Sequence, residues 1–269
     1  MARLPAGSTA APKVSSYLSI QKAFRILEIL SAKAPQGVTE IAAALELEKS
    51  SVSRLLKSLL ELGYVSPGAR RGQYQVSPRI LVLAQQYLDS DRLINEARPI
   101  LRELALEARA TAHLGVVVEG QTLVVAKEPS PELIQVATRV GARIAPHASA
   151  LGKALLAGLP EDRLEAFLAA PLPRFTDKTI TDRRRLVKIL EEVRRKGYSL
   201  ESEEEHAGVG CIGVPVRDST GRWVAALSAA GPLGGTPFRL DAAHIKLVLQ
   251  KAEELSERIS SHLEDGAPR

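Results

Sequence analysis

The sequence predicts an α+β protein in two parts: a small, mostly helical N-terminal domain and a larger domain built on a mixed antiparallel sheet covered by helices. In the first ninety residues, apolar positions recur every three or four residues, which is typical of amphipathic helices. Further along, short strands joined by tight turns alternate with helical segments. Residues 1–90 hold 11 of the 36 Lys and Arg and 6 of the 31 Asp and Glu, so the whole net charge of +5 lies in the first part.

Composition excludes several classes of protein. A chain of 269 residues can bury two modest cores, and no apolar run approaches the roughly 20 residues of a membrane span. The N-terminal segment lacks the apolar core of a signal peptide, and its Pro, Ala, Ser and Gly content predicts a disordered tail over residues 1–15. A single cysteine, Cys211, excludes an internal disulfide and a multi-cysteine metal site. We therefore expect a cytoplasmic protein without a metal or cofactor.

Two helices are predicted before the stretch that carries the function. The first covers Ser19–Ala32, with Ser19 as its cap and an inward apolar face. That face consists of Ile20, Ala23, Phe24, Leu27 and Leu30. Thr39 is expected to cap a second, short helix, which a turn over residues 45–48 connects to the next one. Two helices joined by so tight a turn indicate a helix-turn-helix.

The helix predicted over Lys49–Gly63 has the two faces of a DNA-reading helix. Its inward face is formed by Val52, Leu55, Leu56, Leu59 and Leu60, at helical spacing. Its outward face holds small hydroxyl residues and then Arg54 and Lys57. Small polar residues let a helix enter the major groove, and Arg can bind guanine through two hydrogen bonds. Taken alone, the stretch fits a solvated surface helix about equally well.

A basic hairpin after this helix favours the DNA-binding interpretation. Short strands are predicted at Tyr64–Ser66 and Gln73–Val76, joined by a loop that contains Arg70 and Arg71. A hairpin in this position predicts a winged helix-turn-helix over residues 16–77, although the two arginines could also be ordinary solvated charge. The candidate DNA contacts are Thr39, Lys49, Ser50, Ser51, Ser53, Arg54, Lys57, Arg70 and Arg71.

A linker helix is predicted over residues 78–94, starting at Pro78. It is apolar on more than one side, which indicates burial against something beyond its own domain, such as a second subunit. The second domain is predicted to span residues 95–262, with a flexible C-terminus at 263–269. Its predicted elements are a helix at Asn95–Ala110, a hairpin around Glu119-Gly120, a strand at Leu133–Gly141, helices at His147–Gly158, Pro160–Ala169 and Asp182–Lys196, strands at Tyr198–Glu201, Cys211–Arg217 and Arg222–Ala230, and a helix at Asp241–His262.

From about Ser16 to Ile259, the chain resembles the IclR family of bacterial transcriptional regulators. EKSSVSRLLKSLLELGYV is similar to the reading helix and first wing strand of that family, and HASALGKALLA to its effector-domain motif. Thr179-Ile180-Thr181, Lys196-Gly197-Tyr198 and GVGCIGVPVRDSTGRWVAALSAAGP resemble its C-terminal signature. The resemblance implies a GAF-like effector-binding domain, dimers that are often paired into tetramers, and a small organic effector.

The resemblance also implies the positions of an effector pocket. The backbone amides that hold effector oxygens in the family correspond to those of Ala150 and Leu151. The matching side-chain positions are Glu201, Cys211, Ser228 and Ala230. A shorter carboxylate is typical at the position of Glu201, and a hydroxyl occurs at that of Ala230, so the effector is expected to differ from a small keto acid.

The predicted function is an effector-responsive DNA-binding transcriptional regulator, a repressor or an activator, that binds a pseudo-palindromic operator as a dimer or tetramer. One alternative is a hydrolase-like enzyme fused to a helix-turn-helix, with Cys211 as nucleophile beside His206. No acid is placed to orient that histidine, and no catalytic residue is predicted. A metal site is not expected either, because His113 and His147 stand apart from carboxylate clusters. A second alternative is a non-specific architectural DNA-binding protein.

Overall fold

The structure, a computed structural model, describes residues 14–261, with side chains from residue 18 onward. The contacts divide the chain into one unit that ends at Tyr87 and another that begins at Leu88. The first helix already includes Val14, two residues inside the predicted tail. The rest of that tail and the predicted flexible C-terminus lie outside the described residues.

The first unit contains four helices and a small sheet among its described residues. Its helices are α1 (Val14–Ala32), α2 (Val38–Leu45), α3 (Lys49–Glu61) and α4 (Arg79–Ser90), the last of which crosses into the second unit. Its strands are β1 (Gln36–Gly37), β2 (Val65–Pro67) and β3 (Gln73–Val76), in the antiparallel order β1-β3-β2. These elements form the predicted helix-turn-helix with a two-stranded wing.

The core of the first unit lies between α1, α2 and α3. Ile26, Ile41, Val52 and Leu56 are completely buried there. The inward face predicted for α1 is wrong in part, since Ile20 is 59% exposed. Phe24 is also largely exposed, whereas Leu30 is buried as predicted and Ile26 takes the central place. Ser19 lies inside α1 and not at its start.

Helix α2 begins earlier than predicted, since its cap lies two residues before Thr39. Gly37 precedes α2, and its amide donates to Glu40 Oε2 at 2.7 Å, so Thr39 is an exposed residue of the first turn and not the cap. At the other end, Glu46 adopts φ 54°, and the amide of Leu47 donates to the carbonyl of Ala42. This left-handed residue ends α2 and redirects the chain into α3.

Helix α4 begins from the end of the wing. The hydroxyl of Ser77 accepts from the amide of Arg79, and the guanidinium of Arg79 donates to the carbonyl of Leu62 at 2.8 Å and lies 5.1 Å from the ring of Tyr64. The helix ends at Ser90. The predicted linker helix is therefore shorter than residues 78–94.

The second unit is built on one six-stranded sheet. Its helices are α5 (Arg92–Ala108), α6 (Ala150–Ala157), α7 (Glu161–Ala169), α8 (Arg183–Lys196) and α9 (Ala242–Ser261). Its strands are β4 (Thr111–Val118), β5 (Gln121–Glu128), β6 (Arg143–Ile144), β7 (Ser199–Ser202), β8 (Val209–Arg217) and β9 (Trp223–Pro232). The strand order is β6-β5-β4-β9-β8-β7, and every described pairing is antiparallel, so the sheet is not mixed.

Alternation along the strands separates two layers. Leu114, Ile212 and Leu227 point to one face, where they form the main core with α5 and α9. The opposite face is covered by α6, and α8 packs outside α6. Helix α5 begins at Arg92, capped by Asp91, three residues before the predicted Asn95.

The strand predicted at Leu133–Gly141 is wrong. The structure has no strand there, and Leu133 is 99% exposed. Lys127 Nζ instead donates to the carbonyls of Val136 and Thr138, at 3.2 and 2.5 Å. The segment with alternating apolar residues is therefore a loop, and the side chain of Lys127, not hydrogen bonds to a neighbouring strand, holds it against the sheet.

Candidate DNA-binding surface and effector cavity

The outward face of α3 is polar, cationic and open to solvent. Lys49, Ser50, Ser53, Arg54 and Lys57 are exposed, because Val52, Leu56 and Leu59 take the inward positions of the same helix. Within the described part of the chain, none of the three cations of this face forms a salt bridge. Their charges are therefore available to a polyanion.

Ser51 and Thr39 complete the predicted contact set near the start of this face. Ser51 is partly buried at the first turn of α3, and Thr39 is exposed at the first turn of α2. The first turn of a helix carries amides without helical partners, and these favour an anion such as a phosphate.

The wing presents two more exposed cations. Strands β2 and β3 pair from Val65 with Val76 to Pro67 with Tyr74. The amide of Gly68 donates to the carbonyl of Gln73 at 2.8 Å and closes the loop. Arg70 and Arg71 lie at the exposed tip of that loop. The helix-turn-helix and the wing are thus both present, and both carry positive charge.

In the second unit, the sheet face under α6 forms the floor of a cavity of about 790 Å³. Directly paired residues of neighbouring strands point to the same face, so two cross-strand rows make this floor. The first row is Glu201, Cys211, Ala230 and Thr111, of which the first three line the cavity. The second row is Gly213, Ser228, His113 and Lys127, of which Ser228 and His113 line it. The four side-chain positions implied by the resemblance, from β7, β8 and β9, all line this cavity.

The first turn of α6 lies against the same floor. Ser149 caps the helix: its hydroxyl accepts from the amide of Gly152 at 3.1 Å, and its carbonyl from that of Lys153. The preceding amides, those of Ala150 and Leu151, have no acceptor within the helix. Ala150 packs against Cys211, and Leu151 lines the cavity. These two amides are suited to bind an anionic group.

Two glycines allow the first turn of α6 to pack closely against its surroundings. A methyl group at Gly213 of β8 would collide with the carbonyl of Ala150, and one at Gly152 would collide with the backbone of Pro146. The hydroxyl of Ser199 then donates to the carbonyl of Ala150 at 2.6 Å. Glycine at position 213 therefore allows the start of α6 to lie directly on the sheet.

A buried ion pair lies next to the cavity residue Glu201. Lys153 is 1% exposed, and its Nζ lies 2.5 Å from Glu204 Oε1 and 3.2 Å from the carbonyl of Leu200. Burial lowers the pKa of Lys153 and raises that of Glu204, although the ion pair opposes both shifts. The amide of Glu204 donates to Glu201 Oε1 at 2.5 Å, which connects the pair to the cavity.

Glu201 places a carboxyl group in the wall of the same cavity. Burial raises its pKa to about 7, and the charge of Glu204 adds to this shift. A carboxyl that is protonated near neutral pH can donate a hydrogen bond to the carboxylate of a ligand. Glu201 and an anionic effector can therefore share the cavity.

Cys211 is a poor nucleophile in this structure. Burial raises the pKa of its thiol to about 12, and the charge of Glu201 adds to the shift, while the Ser228 hydroxyl and the Leu151 amide oppose it. The thiolate is the reactive form, so this environment disfavours covalent catalysis. Ser228 and the Leu151 amide thus both lie close to the sulfur, in the middle of the floor.

Comparison with known proteins identifies the family. The sequence profile of the bacterial transcriptional regulator IclR C-terminal domain matches residues 85–261, and that of the IclR helix-turn-helix domain matches residues 19–67. This chain belongs to the IclR family.

Among its relatives is the HTH-type transcriptional regulator BhcR of Paracoccus denitrificans strain Pd 1222, 33% identical over 253 residues, which are 93% of this chain and 90% of that protein. The regulator KdgR of Escherichia coli K12 is 33% identical over 81% of this chain and 83% of its own length. An IclR homologue from Microbacterium hydrocarbonoxydans, solved in complex with 4-hydroxybenzoate, matches the fold with a TM-score of 0.76 and 24% identity, and covers 90% of this chain and 98% of that one.

As an IclR-family protein, the chain is an effector-responsive, DNA-binding transcriptional regulator. The predicted fold class is confirmed, with an N-terminal helix-turn-helix domain and a C-terminal effector-binding domain on an antiparallel sheet. In the part of the chain that the structure describes, no helix is long and apolar enough to cross a membrane.

The sequence does not indicate His113 as a cavity residue. Its position apart from carboxylate clusters argues against a metal site, yet it lies on the cavity floor, with Nδ1 3.4 Å from Ser228 Oγ. The two residues are 115 positions apart in the chain. Nothing local in the sequence reports this pairing, because it follows from the register of β4 against β9.

Proposed function

We propose that this regulator binds a pseudo-palindromic operator as a homodimer or a homotetramer, and that a small organic effector in the cavity of the second unit changes its operator affinity. The effector is a carboxylate or an aromatic compound, and the protein acts in the cytoplasm without catalysing a reaction. The observation that carries this proposal is that one chain holds both an exposed cationic face on α3 and a cavity against which the first turn of α6 lies. We assign residues 16–77 to DNA binding, residues 78–94 to the linker and residues 95–262 to effector binding.

DNA recognition is assigned to α3 and the wing. Helix α3 would lie in the major groove, with Arg54 reading a base and Ser50, Ser53 and Lys57 contacting bases or phosphates. The exposed tip arginines, Arg70 and Arg71, would hold the backbone or enter the minor groove. Affinity is then expected to fall steeply with salt concentration, since counterions leave the phosphates on binding.

Exposed apolar side chains in the first unit support pairing with a second copy. On α4, Leu81 is 69% and Val82 is 68% exposed, and Leu83 is also largely exposed. Ile20 and Phe24 of α1 are exposed as well. Isolated apolar residues are common at surfaces, but consecutive ones on one helix mark an interface. A two-fold axis would place two reading helices about 34 Å apart, in successive major grooves.

Effector binding is assigned to the cavity. The amides of Ala150 and Leu151 would take the anionic group, and Glu201, Cys211 and Ser228 would contact the rest of that end of the molecule. Ala230, which has no hydroxyl, leaves this part of the wall apolar. An effector can change operator affinity only if it binds the two arrangements of the dimer with different affinity.

The test compares two charged residues of α3 in a binding selection against random DNA. Arg54→Ala should cost on the order of 1–3 kcal/mol at one base-pair position and relax the preference there. Lys57→Ala is the matched control, because loss of a phosphate contact weakens binding to all sequences and lowers the salt slope by about one.

Unchanged base preference in Arg54→Ala would remove the reading role from this residue. Equal affinity of the unaltered protein for all duplexes would favour the architectural alternative. Turnover of a carboxylic ester or amide that disappears in Cys211→Ala would favour the enzyme alternative.

A further inference from the structure

His113 is a buried polar side chain whose outer nitrogen has no partner. The residue is 4% exposed on the second floor row, and its Nδ1 faces Ser228 Oγ. Its Nε2 has no hydrogen-bond partner among the described residues. Leaving a buried polar atom unpaired destabilises a folded protein, so this atom calls for an explanation.

The surroundings of His113 keep its ring neutral. Burial lowers its pKa to about 3, and the charge of Lys127 on the neighbouring strand adds to the shift. A neutral imidazole has one donor and one acceptor nitrogen. Whichever tautomer pairs with Ser228, a hydroxyl can pair with Nε2, because a hydroxyl both donates and accepts. A cationic group can only donate, so it could pair with Nε2 in one tautomer only, and it would be repelled by the positive charge of Lys127.

His113 differs from the other residues with an unpartnered buried atom in lying at the cavity under α6. The other such side-chain atoms in the described structure belong to Thr111, Thr122 and Glu204. None of those three residues lines the cavity under α6, whereas His113 does. The unpaired nitrogen therefore belongs to a side chain in the wall of the cavity.

We propose that His113 is a specificity-determining residue for the effector, and that its Nε2 selects an uncharged hydroxyl at the far end of a carboxylate-bearing molecule. This inference rests on the proposed function, in which the amides of Ala150 and Leu151 hold the carboxylate. Ser228 links the two ends, since its hydroxyl lies near both Cys211 and His113.

The floor geometry sets the length of the molecule. The carboxylate lies above the first row, at Cys211, and the hydroxyl above the second row, at His113. The two rows are about 7 Å apart along the strands, and Cys211 and His113 also lie two strands apart, at about 4.8 Å per strand. A 2-hydroxy acid, whose two groups are adjacent, cannot reach both rows.

The walls between the two ends are apolar. Val124, Val136, Leu151 and Phe175 all line the cavity. An apolar body with a polar group at each end, such as a six-membered ring with substituents on opposite sides, fits this distribution. The cavity thus favours a ring carboxylate with a hydroxyl opposite the acid group.

The experiment measures binding of matched probes to the full chain by calorimetry and thermal shift. The probes are 4-hydroxyphenylacetate, its methyl analogue 4-methylphenylacetate, and the positional isomer 2-hydroxyphenylacetate. The unaltered protein should bind the 4-hydroxy compound about tenfold more tightly than either of the others, the effect of one buried hydrogen bond. The pair trans-4-hydroxy- and trans-4-methylcyclohexanecarboxylate repeats the comparison without an aromatic ring.

Variants of His113 and of Thr111 separate recognition of the hydroxyl from effects on folding. His113→Leu should lose the preference for hydroxyl over methyl, and His113→Gln, which keeps a polar group there, should retain part of it. Thr111→Val is the control: Thr111 lies on the same strand and face, is also buried and unpartnered, and does not line the cavity. It should leave the preference unchanged.

The inference fails if the unaltered protein does not favour the hydroxyl probes, whether it binds all of them equally or none. It also fails if His113→Leu folds, as judged by its unfolding transition, and keeps the full preference. The proposed function fails separately. If the hydroxyl probes bind selectively but no duplex is bound with sequence preference, the cavity assignment stands and the regulatory assignment does not.

Discussion

At the scale of single residues, Glu201 makes the stability of the protein depend on pH. Its pKa is about 7 in the folded protein, against an ordinary value of 4.5. Between those values the folded chain holds a proton that the unfolded chain has lost, so stability falls as pH rises through this window. Above pH 7 the buried carboxylate is charged, and the full penalty is on the order of 3 kcal/mol.

Glu201→Gln should therefore be more stable than the unaltered protein at pH 8 and similar to it at pH 5. The glutamine oxygen can still accept from the amide of Glu204, which keeps the local hydrogen bond. The measurement is thermal unfolding of both proteins from pH 5 to pH 8.

Glu192→Gln is the control for this comparison. Glu192 is exposed, and its hydrogen bond with Lys196 lowers its pKa. Its ionised form therefore stabilises the folded protein, and this contribution is fully present once the pH is above the ordinary pKa of a glutamate. The stability difference for Glu192→Gln should stay constant from pH 5 to pH 8. A constant difference for Glu201→Gln as well would show that Glu201 titrates normally.

The same scale shows what sequence reasoning can and cannot reach. Arg54 was predictable because helical period alone places it opposite Leu56 and Leu59. Four residues of the floor, Glu201, Cys211, Ser228 and Ala230, were predictable only through family resemblance, and His113 lay outside it. Its role depends on the register between strands that are far apart in the chain, which no local pattern encodes.

At the scale of elements, the contact between α6 and β8 determines where the amides of Ala150 and Leu151 lie on the sheet. Gly213→Ala should lower the free energy of unfolding by about 1–3 kcal/mol, because the new methyl group meets the rigid carbonyl of Ala150 and not a flexible side chain. Urea unfolding followed by circular dichroism measures this change.

Ser199→Ala provides the comparison for that variant. It removes the hydroxyl that donates to the carbonyls of Ala150 and Gly213, without adding bulk. Its cost should be about 1 kcal/mol, and α6 should keep its position. If Gly213→Ala is as stable as the unaltered protein, α6 can move off the sheet at little cost, and glycine is not required there.

Helices and strands were predicted correctly where the spacing of apolar residues and the residue types at the turns indicated the same element. The hairpin around Glu119-Gly120 is present, with φ of 51° and 74° at those residues, as a tight hairpin turn requires. The segment 133–141 failed, because its alternating Val, Ile and Thr suit a strand but Lys127 takes its carbonyls. The prediction of the inward face of α1 was wrong in part, since Ile20 and Phe24 are apolar but do not pack in the core of their own unit.

At the scale of the whole molecule, the exposed apolar residues of α1 and α4 are not needed for the folding of one chain and are available for the assembly of two. A single chain buries a complete core in each unit and still leaves Ile20, Phe24, Leu81 and Val82 exposed. Neither unit needs these side chains for its own stability. Their retention is explained if a second copy covers them, which would also present two reading helices to one operator.

Leu81→Glu tests this assembly with little effect on folding, because Leu81 is 69% exposed in the single chain. Burial of one leucine contributes about 1.5–3 kcal/mol, and two-fold symmetry introduces the change twice, so dimerisation should weaken at least tenfold. Sedimentation velocity over a concentration series would show the monomer, and operator affinity should fall in parallel, since one reading helix then binds alone. Gln86→Glu adds the same charge to an exposed position of the same helix and should leave the dimer intact. A Leu81→Glu protein that sediments as the unaltered one does would place the interface elsewhere and leave these apolar residues without a role.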